Sequence, residues 1–250
     1  FGGSGNIIIY SDSVLDIDSV ITLSAWINMS SYKNSQIAGR MEMNCINATG
    51  YRINVRDNGD IWAGFGCYSS ADIAIASAAY NLNQWYYITA VFKNNEYIKI
   101  YVDGVLLDSV IHNRSWFGSE HFVIGGTTGN GMYEMSDGYI DNVAQWNYEL
   151  SLQEIQQYMS CPPTGNESGL VGYWDLEEGS GNTALDLTVN GNDGNIGGVI
   201  GYSTNVPIQS CQLINSNGCD STAVLNLTIN QADTSYTSVT TCDSYTWNDS

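Results

Sequence analysis

Apolar and polar residues alternate with a period of two over most of the first 150 residues. Ile21, Leu23 and Ala25 lie on one side of an extended chain, and Thr22 and Ser24 lie on the other. This period is typical of a strand with one buried face. The same period predicts further strands at residues 6–10, 51–56, 61–68, 85–93, 97–102, 105–110, 121–125 and 138–146.

Turn-forming residues separate several of these segments. Residues 57–60 read Asp-Asn-Gly-Asp, residues 94–96 read Asn-Asn-Glu, and residues 103–104 read Asp-Gly. Such residues tolerate the backbone angles of tight reversals, so they predict antiparallel hairpins.

Only residues 151–159 are typical of a helix, because Ser151 and Glu154 have the spacing of a capping box. Many short strands with one short helix favour an all-β fold in which two antiparallel sheets pack as a β-sandwich.

Composition changes twice along the chain and predicts three parts, with bounds at 1–160, 161–210 and 211–250. The middle part is rich in Gly, Asn and Asp, and its residues 170–176 are strand-like. In the last part, Cys-Asp-Ser occurs at residues 219–221 and again at 242–244, which is typical of a repeat. We expect the parent protein to be longer than this chain.

Charge excludes several classes of partner. The 250 residues carry 26 Asp and Glu against 7 Lys and Arg, for a formal net charge of -19. Such a surface repels phosphate backbones, so nucleic acid is excluded as a partner. The sequence contains no run of eighteen apolar residues, so membrane insertion is not predicted. Carboxylates do suit calcium, which prefers oxygen ligands.

The six cysteines form no C-x-x-C pair, so disulfide bonds are favoured over zinc. Disulfides persist outside the cytosol, and the sequence therefore predicts a secreted or cell-surface protein. Cys45 and Cys67 flank the hairpin at residues 57–60 and are the expected pair. The remaining four could pair in three ways, and these are Cys161, Cys211, Cys219 and Cys242.

Four blocks together resemble the laminin G-like, or concanavalin A-like, jelly rolls, a group that includes pentraxins. The blocks are Thr-Leu-Ser-Ala-Trp-Ile at 22–27, residues 85–104 with their Ile-Tyr-Val-Asp-Gly end, Val-Ile-Gly-Gly at 123–126, and residues 138–155. The resemblance implies a two-sheet jelly roll over about the first two thirds of the chain.

Leu-Val-Gly-Tyr-Trp at residues 170–174 is similar to a signature that opens such modules, although here it follows the helix. Either it is a closing strand of the same sandwich, which we favour, or it starts a second module. The tail from Cys211 is similar to Cys-Asp-Ser repeats of Bacteroidetes surface proteins.

The sequence provides no catalytic pattern. Glycoside hydrolases need two carboxylates facing one cleft, and the E-x-D-x-E patterns of related hydrolases are absent. The nearest run, residues 175–178, points its charges in different directions. His112 and His121 are not accompanied by a G-x-S-x-G elbow, so neither predicts a serine nucleophile.

The resemblance implies one structural calcium ion, with Asp141 as its ligand. The alternative is that Asp141 accepts backbone N–H bonds at a strand irregularity. Two other acidic clusters, within residues 57–60 and 186–193, are explained by turn chemistry.

Ligand contacts are expected from loops on the rigid sandwich and from exposed aromatic rings, on which sugars pack. The candidate ligand-binding residues are Trp116, Asn130, Tyr133, Glu134 and Asp137.

The sequence thus predicts a non-catalytic recognition module that binds glycans or surface glycoconjugates in adhesion, with calcium as a candidate cofactor. The alternatives are a structural spacer or a module that binds other surface proteins, and, with least support, a polysaccharide-degrading enzyme.

Overall fold

The computed structural model describes residues 2–10, 13–15, 17, 19–41, 50–65, 73–112, 121–126 and 137–211, and four two-residue strands beyond them. The chain forms two compact units, Phe1–Ile208 and Gln209–Ser250. In the second unit, β15 (Leu213–Ile214) pairs with β16 (Asp220–Ser221), and β17 (Thr228–Ile229) pairs with β18 (Ser235–Tyr236).

Strands are the main secondary structure of the described part of the first unit. Its first half contains β1 (Gly2–Ile9), β2 (Val20–Met29), β3 (Ser35–Met41), β4 (Gly50–Val55), β5 (Ile61–Phe65), β6 (Ile73–Ala76) and β7 (Trp85–Lys93). Its second half contains β8 (Tyr97–Val102), β9 (Val105–Ile111), β10 (Phe122–Ile124), β11 (Gly138–Trp146), the helix α1 (Leu152–Ser160), β12 (Leu170–Trp174), β13 (Thr183–Ala184) and β14 (Gly194–Gly201).

These strands form two antiparallel layers. The first layer has the order β6-β5-β4-β3-β10-β1-β14-β13, and the second has the order β12-β11-β2-β7-β8-β9. Strand β1 joins the layers where Gly2 pairs with Tyr139 of β11. The predicted two-sheet antiparallel sandwich with one short helix is confirmed.

The main core lies between the two layers. Alternate residues of each strand point into it, as Ile21 and Leu23 do from β2 and Ile53 and Val55 do from β4, and all four are 0% exposed. Burying such side chains contributes about 1.5–3 kcal/mol each. This burial fixes which face of every strand looks outward.

A second apolar cluster covers the outer face of the second layer. Helix α1 packs Ile155 and Tyr158 onto this face, and Tyr158 stacks on Trp146 with 5.2 Å between ring centroids. As a result Thr22 and Ser24 are also 0% exposed. The expectation that β2 is buried on one face only is wrong, because the helix covers the other face.

Residues 170–201 pair with strands from earlier in the chain. Strand β12 pairs with β11, and β14 pairs with β1 from Gly2 opposite Gly201 to Ile8 opposite Asn195. Trp174 is fully buried and stacks on Phe122 with 5.2 Å between ring centroids. This part of the chain therefore completes the sandwich.

The outermost strands of the two layers are linked at one edge. The Asp108 side chain of β9 accepts a hydrogen bond from the Ile75 backbone N–H of β6 at 2.8 Å. Among the strands that the structure describes, β6 pairs only with β5, so the carboxylate satisfies an amide at the edge of the sheet.

We expect Ser151→Ala to lower the free energy of unfolding by about 1 kcal/mol, because Ser151 and Glu154 form the predicted capping box at the start of α1. Thermal unfolding should shift down by about 2–4 °C. Ser160→Ala, at the other end of the helix, is the matched control and should leave the midpoint within about 1 °C. Equal shifts in the two variants would contradict the assigned role of the cap.

Candidate functional site

The outer face of the first layer carries a group of polar side chains on β4. Because Ile53 and Val55 point into the core, Arg52 and Asn54 point outward, and Arg56 continues the same alternation beyond the strand. An Arg-x-Asn-x-Arg row therefore lies on the surface of the sheet opposite the core.

Strand β5 sets what lies beside this row. Gly64 pairs with Arg52, and Trp62 pairs with Asn54. Gly64 has no side chain, so it leaves space beside the Arg52 side chain. On the other side, β3 places a second glycine, Gly39, opposite Arg52. A Cβ at Gly39 would lie 2.6 Å from the Arg52 Cα, so this glycine allows the close approach of the β3 and β4 backbones.

The space above Gly64 is a pocket with about 220 Å³ of empty volume. This volume includes space open to solvent, so the pocket is a shallow depression that can admit only a small part of a ligand. Its described lining is Arg52, Asn54, Trp62, Gly64, Phe65 and Ile73.

The polar groups of this pocket are deeply placed. Asn54 is 2% exposed and Arg52 is 6% exposed. The Asn54 Oδ1 and Trp62 Nε1 atoms are buried, and no described residue forms a hydrogen bond with either atom. On β3, Gln36 pairs with Asn54, and the Gln36 Oε1 atom is also buried without a hydrogen bond to any described residue. Buried polar atoms in native proteins nearly always have partners, so the two that belong to the pocket lining, Asn54 Oδ1 and Trp62 Nε1, are candidates for ligand contact.

The Trp62 ring is held by a cation. The Arg56 guanidinium carbon lies 4.1 Å from the centroid of the indole ring. Such contacts contribute about 0.5–1 kcal/mol at exposed sites. One ring face is therefore occupied, and Trp62 offers the pocket its edge and its N–H group rather than an open stacking surface.

Asp141, the predicted calcium ligand, lies on the outer face of the other layer. It is 4% exposed, and its Oδ1 accepts the Asn142 backbone N–H at 3.0 Å, as the alternative interpretation expected. Burial, and next the negative charge of Glu177, raise the pKa of Asp141 to about 7. Among the described residues, no group of three His, Cys, Asp or Glu side chains is arranged to hold a metal ion. Calcium at Asp141 stays a prediction.

The expected ligand loop falls mostly outside the described residues, and so do Trp116, Asn130, Tyr133 and Glu134. Asp137 is described and forms an exposed ion pair with Lys33 at 2.5 Å. Hydrogen bonds from Lys33 and Ser31 hold the pKa of Asp137 below its usual value. It is not among the residues that line the pocket.

The two acidic turn clusters bind backbone groups. Asp186 is 7% exposed, and its oxygens accept bonds from the backbone N–H groups of Tyr173, Thr188 and Asn192. Asp60 accepts the Ala78 N–H. Their carboxylates thus organise the turns, as turn chemistry predicts.

Both Cys161 and Cys211 are disulfide-bonded. The expected pair of Cys45 and Cys67, together with Cys219 and Cys242, lies outside the described residues. In the part of the chain that is described, no helix is long and apolar enough to span a bilayer.

Sequence reasoning missed Arg52, Asn54 and the pocket role of Trp62. The alternation of residues 51–56 was a usable signal, because it places Arg52, Asn54 and Arg56 on the face opposite Ile53 and Val55. The alternation alone could not show that a glycine on the neighbouring strand opens a pocket there.

The profile of the laminin G-like family, within the Concanavalin A-like lectin/glucanases superfamily, matches residues 1–156. The chain belongs to this family. Among curated protein sequences, none matches it.

Solved structures share the fold at low sequence identity. A Bacteroides ovatus protein described as carbohydrate-binding is 18% identical with a TM-score of 0.64, covering 84% of this chain and 61% of its own. A heptameric SAP-like pentraxin from Limulus polyphemus is 15% identical with a TM-score of 0.50, covering 79% of this chain and 92% of its own. The CBM40 of the Ruminococcus gnavus IT-sialidase, bound to α2,3-sialyllactose, is 12% identical with a TM-score of 0.51, covering 62% and 92%. This chain therefore spans about three fifths of the Bacteroides protein.

We expect stability to fall as pH rises, because of Asp141. Its pKa is about 7 when folded against an ordinary value of 3.8, so ionisation disfavours the folded state from about pH 4 upward. In buffer with a chelator, unfolding by urea should show about 1 kcal/mol more stability at pH 6 than at pH 8. Asp141→Asn keeps the acceptor for Asn142 and should remove this part of the difference. An unchanged pH profile in the variant would refute the assignment.

Proposed function

We propose that this chain is a non-catalytic glycan-binding module whose ligand occupies the pocket on the outer face of β4 and β5. The observation that carries this proposal is that Asn54 Oδ1 and Trp62 Nε1 are both buried and form no hydrogen bond with any described residue. One atom accepts hydrogen bonds and the other donates them. A sugar hydroxyl does both, so neighbouring hydroxyls of one saccharide can satisfy the two atoms.

The chemistry of the lining supports binding over hydrolysis. Glycoside hydrolysis needs two carboxyl groups on either side of the scissile bond. The described lining of this pocket contains a guanidinium, an amide, an indole and apolar groups, without a carboxylate. These groups hold and orient a ligand but provide no acid and base pair.

The fold neighbours support the same class of ligand. The Bacteroides ovatus protein is described as carbohydrate-binding, and the Ruminococcus gnavus module is described in complex with a sialylated sugar. At 18% and 12% identity these proteins share the fold with this chain. Glycan binding is transferred here because the pocket independently suits it.

The proposal extends to the setting of the module. Disulfide-bonded Cys161 and Cys211 favour an oxidising, extracellular location, where a glycan-binding module would attach its parent protein to a glycoconjugate. Calcium, if it takes part, would bind at Asp141 on the other layer and would act on stability rather than in the pocket.

We expect Asn54→Ala and Trp62→Phe each to weaken glycan binding about five- to tenfold, since each removes one buried hydrogen-bonding atom. A glycan array first identifies ligands of the unaltered chain, and calorimetric titration of the best one measures the change. Trp85→Phe is the matched control, because Trp85 lies on β7 of the second layer, away from the pocket, and its indole N–H donates a hydrogen bond to Asn205. It should bind as the unaltered chain does.

Two results would refute the proposal. One is a glycan array on which the unaltered chain binds no glycan, either with calcium or with a chelator. The other is a set of variants in which Trp85→Phe weakens binding as much as Asn54→Ala and Trp62→Phe.

A further inference from the structure

One wall of the pocket is aliphatic. Strand register places Arg52 of β4 and Ile73 of β6 on either side of Gly64. Because Ala74 points into the core, its neighbour Ile73 points outward, onto the face that carries the pocket. Ile73 is 8% exposed and is part of the pocket lining. The space above the glycine therefore has an apolar side chain at one edge.

The next row of the same face provides one acceptor and one donor. Asn54 stands opposite Trp62, and residues paired in this way have Cβ atoms about 4.5–5.5 Å apart. The Asn54 Oδ1 atom accepts hydrogen bonds and the Trp62 Nε1 atom donates them, and neither forms one with any described residue. Both side chains line the pocket together with Ile73. The lining thus combines an acceptor, a donor and an apolar wall within a small space.

An acetamido group has three parts that match this lining. Its N–H donates a hydrogen bond, its carbonyl oxygen accepts one, and its methyl group is apolar, and all three lie in one plane. The group is also small enough to enter a shallow pocket while the sugar ring stays outside. Sugar hydroxyls could bond both polar atoms, but they would leave Ile73 without an apolar contact.

We propose that the pocket takes the acetamido group of N-acetylated saccharides. This inference rests on the proposed function and names its ligand class. The Trp62 N–H donates to the acetamido carbonyl, and the Asn54 Oδ1 atom accepts from the acetamido N–H. The methyl group packs on Ile73 above Gly64. Because the acetamido group is neutral, the net charge of -19 does not oppose its entry.

The test compares each acetamido ligand with an analogue that has a hydroxyl group in its place. The pairs are N,N′-diacetylchitobiose with cellobiose, the methyl glycosides of N-acetylgalactosamine and galactose, and those of N-acetylneuraminic acid and its 5-hydroxy analogue. The unaltered chain should bind the acetamido member of at least one pair about fivefold more tightly, as burial of one methyl group provides. The pair that shows this ratio identifies the sugar that carries the group.

Gly64→Ala places a methyl group in the pocket and should reduce the acetamido-to-hydroxyl ratio to about one, with the affinity for the hydroxyl member within about threefold. Gly64 is not among the glycines with positive φ, so its backbone accepts alanine. Ser109→Thr is the matched control, because it adds a methyl group at an exposed position of β9 in the second layer. This control should keep the full ratio.

A second variant tests the aliphatic wall. Ile73→Ala removes most of the apolar contact and should reduce the ratio to about twofold or less. It also serves if Gly64→Ala does not fold. The fold of each variant is checked by its thermal midpoint.

Different failures separate the two proposals. Equal binding within every pair, or binding only of array glycans that lack an acetamido group, would overturn the acetamido preference and leave glycan binding intact. A ratio that survives both Gly64→Ala and Ile73→Ala would also overturn it. Absence of binding to all of these ligands and to every glycan on the array would overturn the proposed function itself.

Discussion

Burial of Ile53 and Val55 between the two layers is the constraint on which the candidate site depends. Side chains of a strand alternate, so fixing these two in the core fixes Arg52 and Asn54 on the outer face. A one-residue slip of β4 would place a guanidinium in the core and two aliphatic side chains outside. The free-energy cost of that slip therefore keeps the polar side chains on the outer face, just as it keeps the aliphatic side chains in the core.

The two layers use their outer faces differently. In the second layer, α1 and the aromatic residues around Trp146 cover the outer face and bury it. In the first layer, β4 and β5 place charged, amide and indole groups on theirs. The helix therefore covers one side of the sandwich, and the candidate site lies on the other side.

Local pattern predicted much of this architecture. The bounds predicted for the strands at 85–93, 97–102 and 138–146 match the structure, as does the Ser151 cap, because each segment has strong alternation, turn residues or a capping motif of its own. Strand β14 was not predicted, because its sequence is rich in glycine, a residue with a low propensity for strands. Its glycines serve a tertiary need: a Cβ at Gly194 would lie 2.3 Å from the side chain of Ile7.

The site was harder to predict than the fold. Sequence reasoning looked for ligand contacts in a loop around Tyr133 and at Asp141, since loops and carboxylates carry much recognition chemistry. The loop around Tyr133 lies outside the described residues, and the candidate pocket that is described lies where β4 and β5 pair, with Gly64 opposite Arg52. Such cross-strand relations follow from register, which in a hairpin is set by the type and length of the turn and cannot be read from the alternation of one strand alone.

The bond between Asp108 and the Ile75 amide has a consequence for how copies of this module can coexist. An open sheet margin invites a neighbouring chain to add its own strand, the first step toward fibrils. The Asp108 carboxylate accepts a hydrogen bond from one backbone N–H of that edge, and its negative charge repels an incoming acidic chain. In a crowded array of identical, strongly acidic modules, this small clamp helps each sandwich to remain separate from its neighbours.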